Sequence, residues 1–562
     1  MKKIFPKKNL LGKYFSKKYV KITLVLMLVG LLAFKTDDKY FEIAKSIELY
    51  AQVFREINQN YVDDVSPSTV MKNGLDGMLK SLDPYTNYIP EDEIEDYRTQ
   101  NTGQYGGIGV VSRTYNGKTI IVKYNKKSPA YKAGLKIGDE IVEVDGINIQ
   151  NKSTKEIDKI FKGQAGTKME LLIARPGDKV RKKFEVMRQN IKIDDVPYAG
   201  MLEKEVGYIK LQGFTRTASK EVKEAFEKLK KEGMKKLVLD LRGNPGGLVI
   251  EAVNICNIFV DRDLEVVNTK GKVKDFNRSY KTMNDAMDLK IPVVLLLNDN
   301  SASASEIVAG FLQDSDRGVI IGQRSFGKGL VQIPRPLSYN SQVKITTAKY
   351  YIPSGRCIQA IDYSGQEDQK TGRLADSLKK AFKTKNGRTV YDGTGLDPDV
   401  PVPGKKLSPV TMALLQKGLI FDYATAYVKQ HKTIKSAKEF RLTNADYQKF
   451  VNWLKGKDYK YTTKVEKALA KLEAKAKQEK TYDKIKTQIK AVKQKMTASK
   501  ATDLITFRNE IKEKLELEII LRYYLEQGQI EATFERDKEV QEALKLFKDM
   551  PRYRKILEGD KN

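Results

Sequence analysis

Apolar residues fall along this chain in several distinct rhythms. Ile22–Phe34 is continuously apolar apart from Thr23 and Gly30. From Asp38 to about Ile94 the spacing turns helical: Phe41, Ile43, Ile47, Tyr50, Val53, Phe54 and Ile57 recur every three or four residues. MLKSLDPYTNYIP (78–90), with two prolines, marks a turn from helix to extended chain. Over 103–190 the pattern becomes short β-like runs, IIVKY, DEIVEVDG and KMELLIARPG, after a glycine-rich GQYGGIGV. VGYIKLQGF (206–214) alternates like a strand, and Ser219–Lys231 carries Val222, Phe226 and Leu229 on one helical face. Beyond it, QVKITTAKYYIPSG (342–355) alternates as strand, and YDGTGLDPDVPVP (391–403) reads as a linker or edge segment. After Leu407 the chain is helical and rich in Lys, Glu, Gln and Ala.

Two stretches share one plan. KKLVLDLRGNPGGLVIEAVNICNIF (235–259) reads as buried strand, glycine-rich turn and helix. IPVVLLLNDNSASASEIVAGFLQ (291–313) reads as buried strand, polar turn and helix, with Ile307, Val308, Phe311 and Leu312 at helical spacing. Two such units suggest adjacent βα crossovers, with both turns at the carboxyl edge of one sheet. Gly246 and Gly247 should then lie close to Ser303. Small hydroxyl residues at a strand-to-helix hand-over are either caps or a nucleophile presented on a turn. Ser303 is the candidate nucleophile; Ser301 and Ser305 are expected to cap.

Length and charge refine this picture. At 562 residues the chain exceeds one core, and three or four domains are expected. The net charge of +30 would suit nucleic acid, but the lysines are spread over the leader and the C-terminal third without a nucleic-acid motif. They are read as solvated helical faces, and no nucleic-acid partner is expected. Cys256 and Cys357 are the only cysteines and neither has a CxxC neighbour, so no metal or disulfide framework is expected. Eight lysines precede Ile22, and the 13-residue apolar core that follows matches an export signal, with an uncleaved anchor as the alternative. Export to the periplasm or cell envelope is expected, with anchoring in the inner membrane if the segment is retained.

The missing histidine decides the chemistry. His431 is the only one and lies in the remote YVKQHKT, so neither a Ser-His-Asp triad nor a histidine zinc site is expected. Lysine is the alternative base, provided desolvation or a positive neighbour lowers its usual pKa of about 10.4. Lys328, in SFGKGLVQ, has glycines on both sides followed by Leu330 and Val331. Gln332, four residues on, is placed to fix its ammonium. A phosphate loop competes for the same lysine: GQRSFGKG fits G-x-x-x-x-G-K, but Gly329 stands where the Mg²⁺-ligating hydroxyl belongs, and strand-like LVQIPRP follows. No cofactor is expected.

SPAYKAGLKIGDEIVEVDG (128–146), together with GIGV (107–110), closely resembles a PDZ domain. In that resemblance Gly107, Ile108, Gly109 and Val110 form the loop that takes a terminal carboxylate, with Ile108 and Val110 beside an apolar pocket. The physics agrees, because glycines let successive N–H groups converge on an anion and an adjoining strand can pair with an extended peptide. SASASEIVAGFLQDSDRGVIIG with SFGKGLVQ, LDLRGNPGG, LDPYTNY and GLDPDV resembles the carboxyl-terminal processing, or tail-specific, proteases, in that family's order over roughly residues 40–403. The resemblance implies a catalytic Ser303–Lys328 dyad with Gln332, and oxyanion donors at Ala304 and at Gly246 or Gly247.

The expected architecture is α/β and multidomain. It comprises an export signal or anchor (1–37), a helical N-terminal region (38–100) and a PDZ domain (101–192). A crotonase-like (ClpP-like) Ser-Lys peptidase core (193–404) and a lysine-rich helical extension (405–562) follow. The expected function is a serine endopeptidase that holds the tails of exported proteins and cleaves through an acyl-enzyme. Its partners are proteins or peptides with accessible C-termini, with the extension serving a homo-oligomer or an adaptor. A catalytically silent PDZ scaffold is the alternative. A crotonase-type acyl-CoA enzyme is disfavoured by the leader.

Overall fold

The computed structural model describes residues 17–363, 377 and 379–559, with side chains from residue 39 onward. The start of the expected leader, residues 1–16, lies outside the described residues. Its apolar core falls in the helix Lys17–Asn60. No helix of the described residues is long and apolar enough to cross a membrane.

The chain divides into two compact units, residues 1–88 and 89–562. In the first, the helix Pro67–Lys80 starts where Pro67 tolerates the missing N–H and Ser66 accepts the Thr69 amide. Asp83 then closes the expected turn by accepting the Tyr85 and Thr86 amides at 2.8 and 2.7 Å.

The second unit is built on a six-stranded sheet. Its order is Tyr198–Glu203, Val206–Lys210, Lys236–Asp240, Val293–Leu297, Gly318–Gly322 and Val400–Pro401. The first pair is antiparallel and the remaining pairs are parallel. Lys236–Asp240 and Val293–Leu297 are neighbours, with Leu237 opposite Val293 and Asp240 opposite Leu296. The two strand-turn-helix units are thus adjacent and parallel, and both turns leave the same edge. Val293–Leu297 is buried at every position, as a strand covered on both faces must be.

Helices Ala218–Lys231, Val249–Cys256 and Ala304–Asp314 cover one face, burying Val222, Phe226, Leu229, Val253, Ile307 and Phe311. The other face is covered by the C-terminal end of the chain. Val540, Leu544, Phe547 and Tyr553, from helices Lys538–Lys548 and Met550–Glu558, pack on Val238, Val294, Leu296 and Ile321. The last helices therefore complete the core of the sheet. A second antiparallel layer, Leu330–Pro336, Gln342–Tyr351, Glu265–Gly271 and Arg278–Lys281, carries the chain that follows Lys328.

Residues 110–187 form a separate antiparallel sheet, Val110–Tyr115, Lys118–Tyr124, Glu140–Val144, Lys168–Ala174 and Lys182–Met187, closed by helix Thr154–Phe161. This module touches the helices after residue 408: Lys123 pairs with Glu526 at 2.6 Å, and the Tyr115 hydroxyl donates to the Lys417 carbonyl. His431 caps the helix Leu419–Gln430 and stacks on Tyr427 at 3.9 Å, a structural position. Among the described residues no cluster of His, Cys, Asp or Glu could hold a metal.

Phe547 is 1% exposed and lies at the centre of the sheet's second face. Truncating it to alanine should remove about 3–5 kcal/mol from the core of the six-stranded sheet, read as an earlier denaturant midpoint with the 110–187 module unaffected. An unchanged core midpoint would mean that the C-terminal helices are not part of that core.

Candidate active site

The strand Val293–Leu297 hands over to helix Ala304–Asp314 through a turn in which Ser303 has φ 57° and ψ −115°. A β-unbranched L residue pays for that backbone with strain of roughly 1–3 kcal/mol, and it persists only where neighbours over-determine it. The neighbours are identifiable. The Ser301 hydroxyl donates to the Leu241 carbonyl at 2.9 Å, and the Ser305 hydroxyl donates to the Asn244 carbonyl at 3.0 Å. The Ala302 amide donates to that same Asn244 carbonyl at 3.0 Å. Ser301 and Ser305 were expected to cap; both are fully buried and instead tie this turn to the neighbouring glycine-rich one. Ser303, between them, is the half-buried serine.

The glycine-rich turn has its own fastener. Asn244 is completely buried; its amide nitrogen donates to the Leu211 carbonyl at 3.0 Å and its oxygen accepts the Gly246 amide at 2.9 Å. Gly246 has φ 97°, and a Cβ there would meet the Ala302 oxygen and Ser303 Cβ at 2.7 Å and the Ala304 nitrogen at 2.8 Å. The two turns are therefore in contact, as the sequence predicts, and only glycine fits between them. Gly246 has committed its own N–H to Asn244. The Gly247 amide has no hydrogen bond among the described residues, and Ala304, as the first helical residue, has no intrahelical acceptor.

Glu306 joins this turn to the lysine loop. It is fully buried. Its Oε2 accepts the Ser303 amide at 2.8 Å and the Lys328 amide at 2.9 Å. Its Oε1 accepts the Gly327 amide at 2.8 Å and the Ser325 hydroxyl. Burial pushes the carboxyl up to about 7, opposed by these four donors. On the other side, the Tyr350 hydroxyl lies 2.5 Å from the Lys328 carbonyl and 3.2 Å from the Ser303 carbonyl. One carboxylate and one phenol thus hold the backbones of Ser303 and Lys328 against each other.

Lys328 is half-buried in a loop between strands Gly318–Gly322 and Leu330–Pro336. No helix starts after it, which agrees with setting the phosphate-loop reading aside. Gln332 lies on the following strand opposite Thr346, and its amide donates to the Thr346 hydroxyl at 3.2 Å. Sequence reasoning placed Gln332 beside the lysine ammonium and overlooked this cross-strand partner. It also passed over Glu306, Asn244 and Tyr350. The Ser303-x-x-Glu306 spacing, a capping-box pattern, was the available signal for Glu306; nothing local marks Tyr350.

The expected carboxylate loop, Gly107 to Val110, joins strand Gln104–Gly107 to strand Val110–Tyr115 of the 110–187 sheet. Ile108 is 1% exposed, inside a core with Ile157 and Phe161, and half-buried Val110 packs against it. Gly109 has φ 73°, and a Cβ would meet Ser128 Cβ at 2.6 Å. The Gly106 carbonyl accepts the Gly163 amide at 3.1 Å, setting the loop against the helix end.

Replacing Glu306 by glutamine puts N–H donors where two protein donors already point. Stability should fall by about 2–4 kcal/mol, and the expected peptidase activity by about ten- to a hundredfold. A pH test separates the carboxyl's role from simple packing. Burial penalises the charged form and raises the folded pKa from 4.5 to about 7, so folding stability falls as pH rises from about 4.5 towards 7, although the four-donor clamp itself needs the ionised carboxylate. That slope should be absent in Glu306→Gln; an identical slope in both proteins would contradict the assignment.

Residues 205–368 match Peptidase family S41, residues 120–175 match the PDZ domain, and residues 410–547 match "Probable PDZ-protease, C-terminal helical domain". The similarity thus extends past residue 403, where the sequence resemblance ends. A carboxy-terminal-processing protease of Bartonella bacilliformis is 35% identical over 348 residues, covering 61% of this chain and 78% of that protein. The carboxy-terminal processing protease CtpA of Bacillus subtilis is 29% identical, covering 73% and 85%. Among solved structures, a photosystem II D1 C-terminal processing protease is similar at 27% identity and a TM-score of 0.34, covering 63% of this chain and 92% of that one. With its PDZ module, α/β core and C-terminal helices in place, this chain belongs to the carboxy-terminal-processing protease family and is a serine-type peptidase.

Proposed function

We propose that this peptidase cleaves exported proteins whose C-terminal tails are held by its PDZ module, using Ser303 as nucleophile and Lys328 as base. The observation that carries the reading is Glu306. Its one carboxylate takes both the Ser303 and Lys328 amides, so the two residues cannot drift apart without breaking a buried hydrogen bond. In this mechanism neutral Lys328 takes the Ser303 proton as Ser303 attacks a peptide carbonyl. The developing oxyanion is met by the Ala304 and Gly247 amides, which have no competing acceptor among the described residues. Gly246 serves by its lack of a side chain, since a Cβ would crowd the Ala304 nitrogen. Protonated Lys328 then donates to the leaving amine, and water releases the acyl group. The core is inferred to be of the crotonase-like (ClpP-like) kind, which its single run of parallel crossovers supports. The basic, then apolar leader supports export.

At the other end of the chain's task, Ile108, Val110 and the glycines around them would receive the tail. The test uses an unfolded protein with a free apolar C-terminus. Ser303→Ala and Lys328→Ala should each reduce turnover by about a thousandfold or more while leaving tail affinity unchanged. Retained turnover in either variant refutes the dyad. Lost tail binding in both would instead place the defect in folding, which melting curves would reveal.

A further inference from the structure

Beside its helix Thr154–Phe161 the PDZ module leaves a short free strand edge, and that helix carries an acid without a salt-bridge partner among the described residues. Among the described residues strand Val110–Tyr115 is an edge strand, paired only with Lys118–Tyr124. At its far end the Thr114 amide donates to the Thr154 hydroxyl at 3.3 Å, and the Thr114 hydroxyl donates to the Lys152 carbonyl at 3.3 Å. The helix and strand are therefore fastened together there, which leaves Val110 to Arg113 for an added strand. A tail whose carboxylate sits at Gly107–Gly109 must run antiparallel to this strand, and only its last three or four residues fit.

The same contact shows which face of the helix looks onto the groove. Thr154 faces the strand, and Asp158, one turn on, shares its side; Phe161 follows near the carboxylate loop. Asp158 is half-buried; its carbonyl accepts the Lys162 amide at 3.2 Å, and its carboxylate has neither a hydrogen bond nor an ion pair among the described residues. Around it stand Tyr105, Lys162 and Asp96. The helix's cations are committed elsewhere: Lys155 to Glu93 at 2.6 Å, Lys159 to Asp92 at 2.5 Å, and Lys162 to Asp96. Burial raises the Asp158 carboxyl, with Lys162 pulling it back and Asp96 adding to the rise.

We infer that Asp158 reads the third residue from the end of the tail and favours a cationic side chain there. Alternate residues of an added strand face the helix, about 6.8 Å apart. With the terminal side chain beside Ile108 and Phe161, the next one facing the helix comes about 2 Å beyond Asp158, which lies about 4.5 Å up the axis from Phe161, an offset that a long side chain spans. A lysine or arginine there supplies the partner that the carboxylate lacks, and an aspartate or glutamate is repelled.

This inference rests on the proposed tail recognition, and the experiment separates the two. Full-length Ser303→Ala protein is titrated with fluorescein-labelled decapeptides ending Lys-Ala-Ala, Gln-Ala-Ala or Glu-Ala-Ala. Fluorescence anisotropy is read at low and high salt, with C-terminally amidated peptides as controls. The lysine tail should bind about three- to tenfold more tightly than the glutamine tail, and the glutamate tail more weakly than either. High salt should compress the series. Asp158→Asn should remove the order and Asp158→Lys should invert it, with melting temperatures unchanged. Equal affinity for lysine and glutamate tails, or an order that survives Asp158→Asn, overturns the inference while leaving tail recognition intact. Failure of every free tail to bind overturns both.

Discussion

The geometry of this site depends on one buried carboxylate. Glu306 lies in the first turn of the helix that Ser303 opens, and it accepts four donors, two on each oxygen. A carboxyl so enclosed is costly to bury, and its lone pairs must all be used. Here that requirement does structural work at a distance, because two of the donors are the amides of Ser303 and Lys328. The positive-φ backbone at Ser303 is held from one side by Glu306, and Tyr350 lies at the corresponding carbonyls from the other. Precision at Ser303 and Lys328 therefore comes from the backbone outward, through a residue that need not touch substrate.

The sheet supplies the other half of the constraint. Neighbouring parallel strands deliver the Asn244–Gly247 turn and the Ser301–Ser305 turn to the same edge, and three hydrogen bonds from the serine turn fasten it to Leu241 and Asn244. The glycine turn is linked in turn to the end of the chain. Arg242 pairs with Asp240 at 2.7 Å and with Asp537 at 2.8 Å, at the start of the helices that cover the sheet's second face. Buried Asp240 is held well below the usual carboxylate range despite its burial, chiefly by the charges of Arg242 and Lys210. The C-terminal helices are thus wired to the loop nearest Ser303 as well as packed on its core.

How much of this was legible in the sequence follows from which interactions are local. The strand-turn-helix units at 235–259 and 291–313 were readable because apolar periodicity and a change of rhythm mark each element. Gly246 and Ser303 could be placed together because adjacent crossovers leave one choice of edge. Glu306 was readable in principle from its spacing to Ser303, but its grip on Lys328 spans 22 residues and is set by tertiary packing. Tyr350 and Asn244 looked like an ordinary strand aromatic and an ordinary turn residue. The terminal helices were read as solvated because lysine dominates their composition. Val540, Leu544 and Phe547 nevertheless form an apolar stripe, and only the exposed second face of a sheet explains what it covers.

The central claim is that a peptide's acyl half passes through Ser303. Rapid acid quenching during turnover of a tail-bearing substrate, followed by digestion and mass spectrometry, reads this directly. The predicted result is a transient substrate-derived acyl mass on the peptide containing Ser303, accumulating before products and absent from Ser303→Ala protein. Steady cleavage with no adduct on Ser303, or with the adduct on another residue, would contradict it.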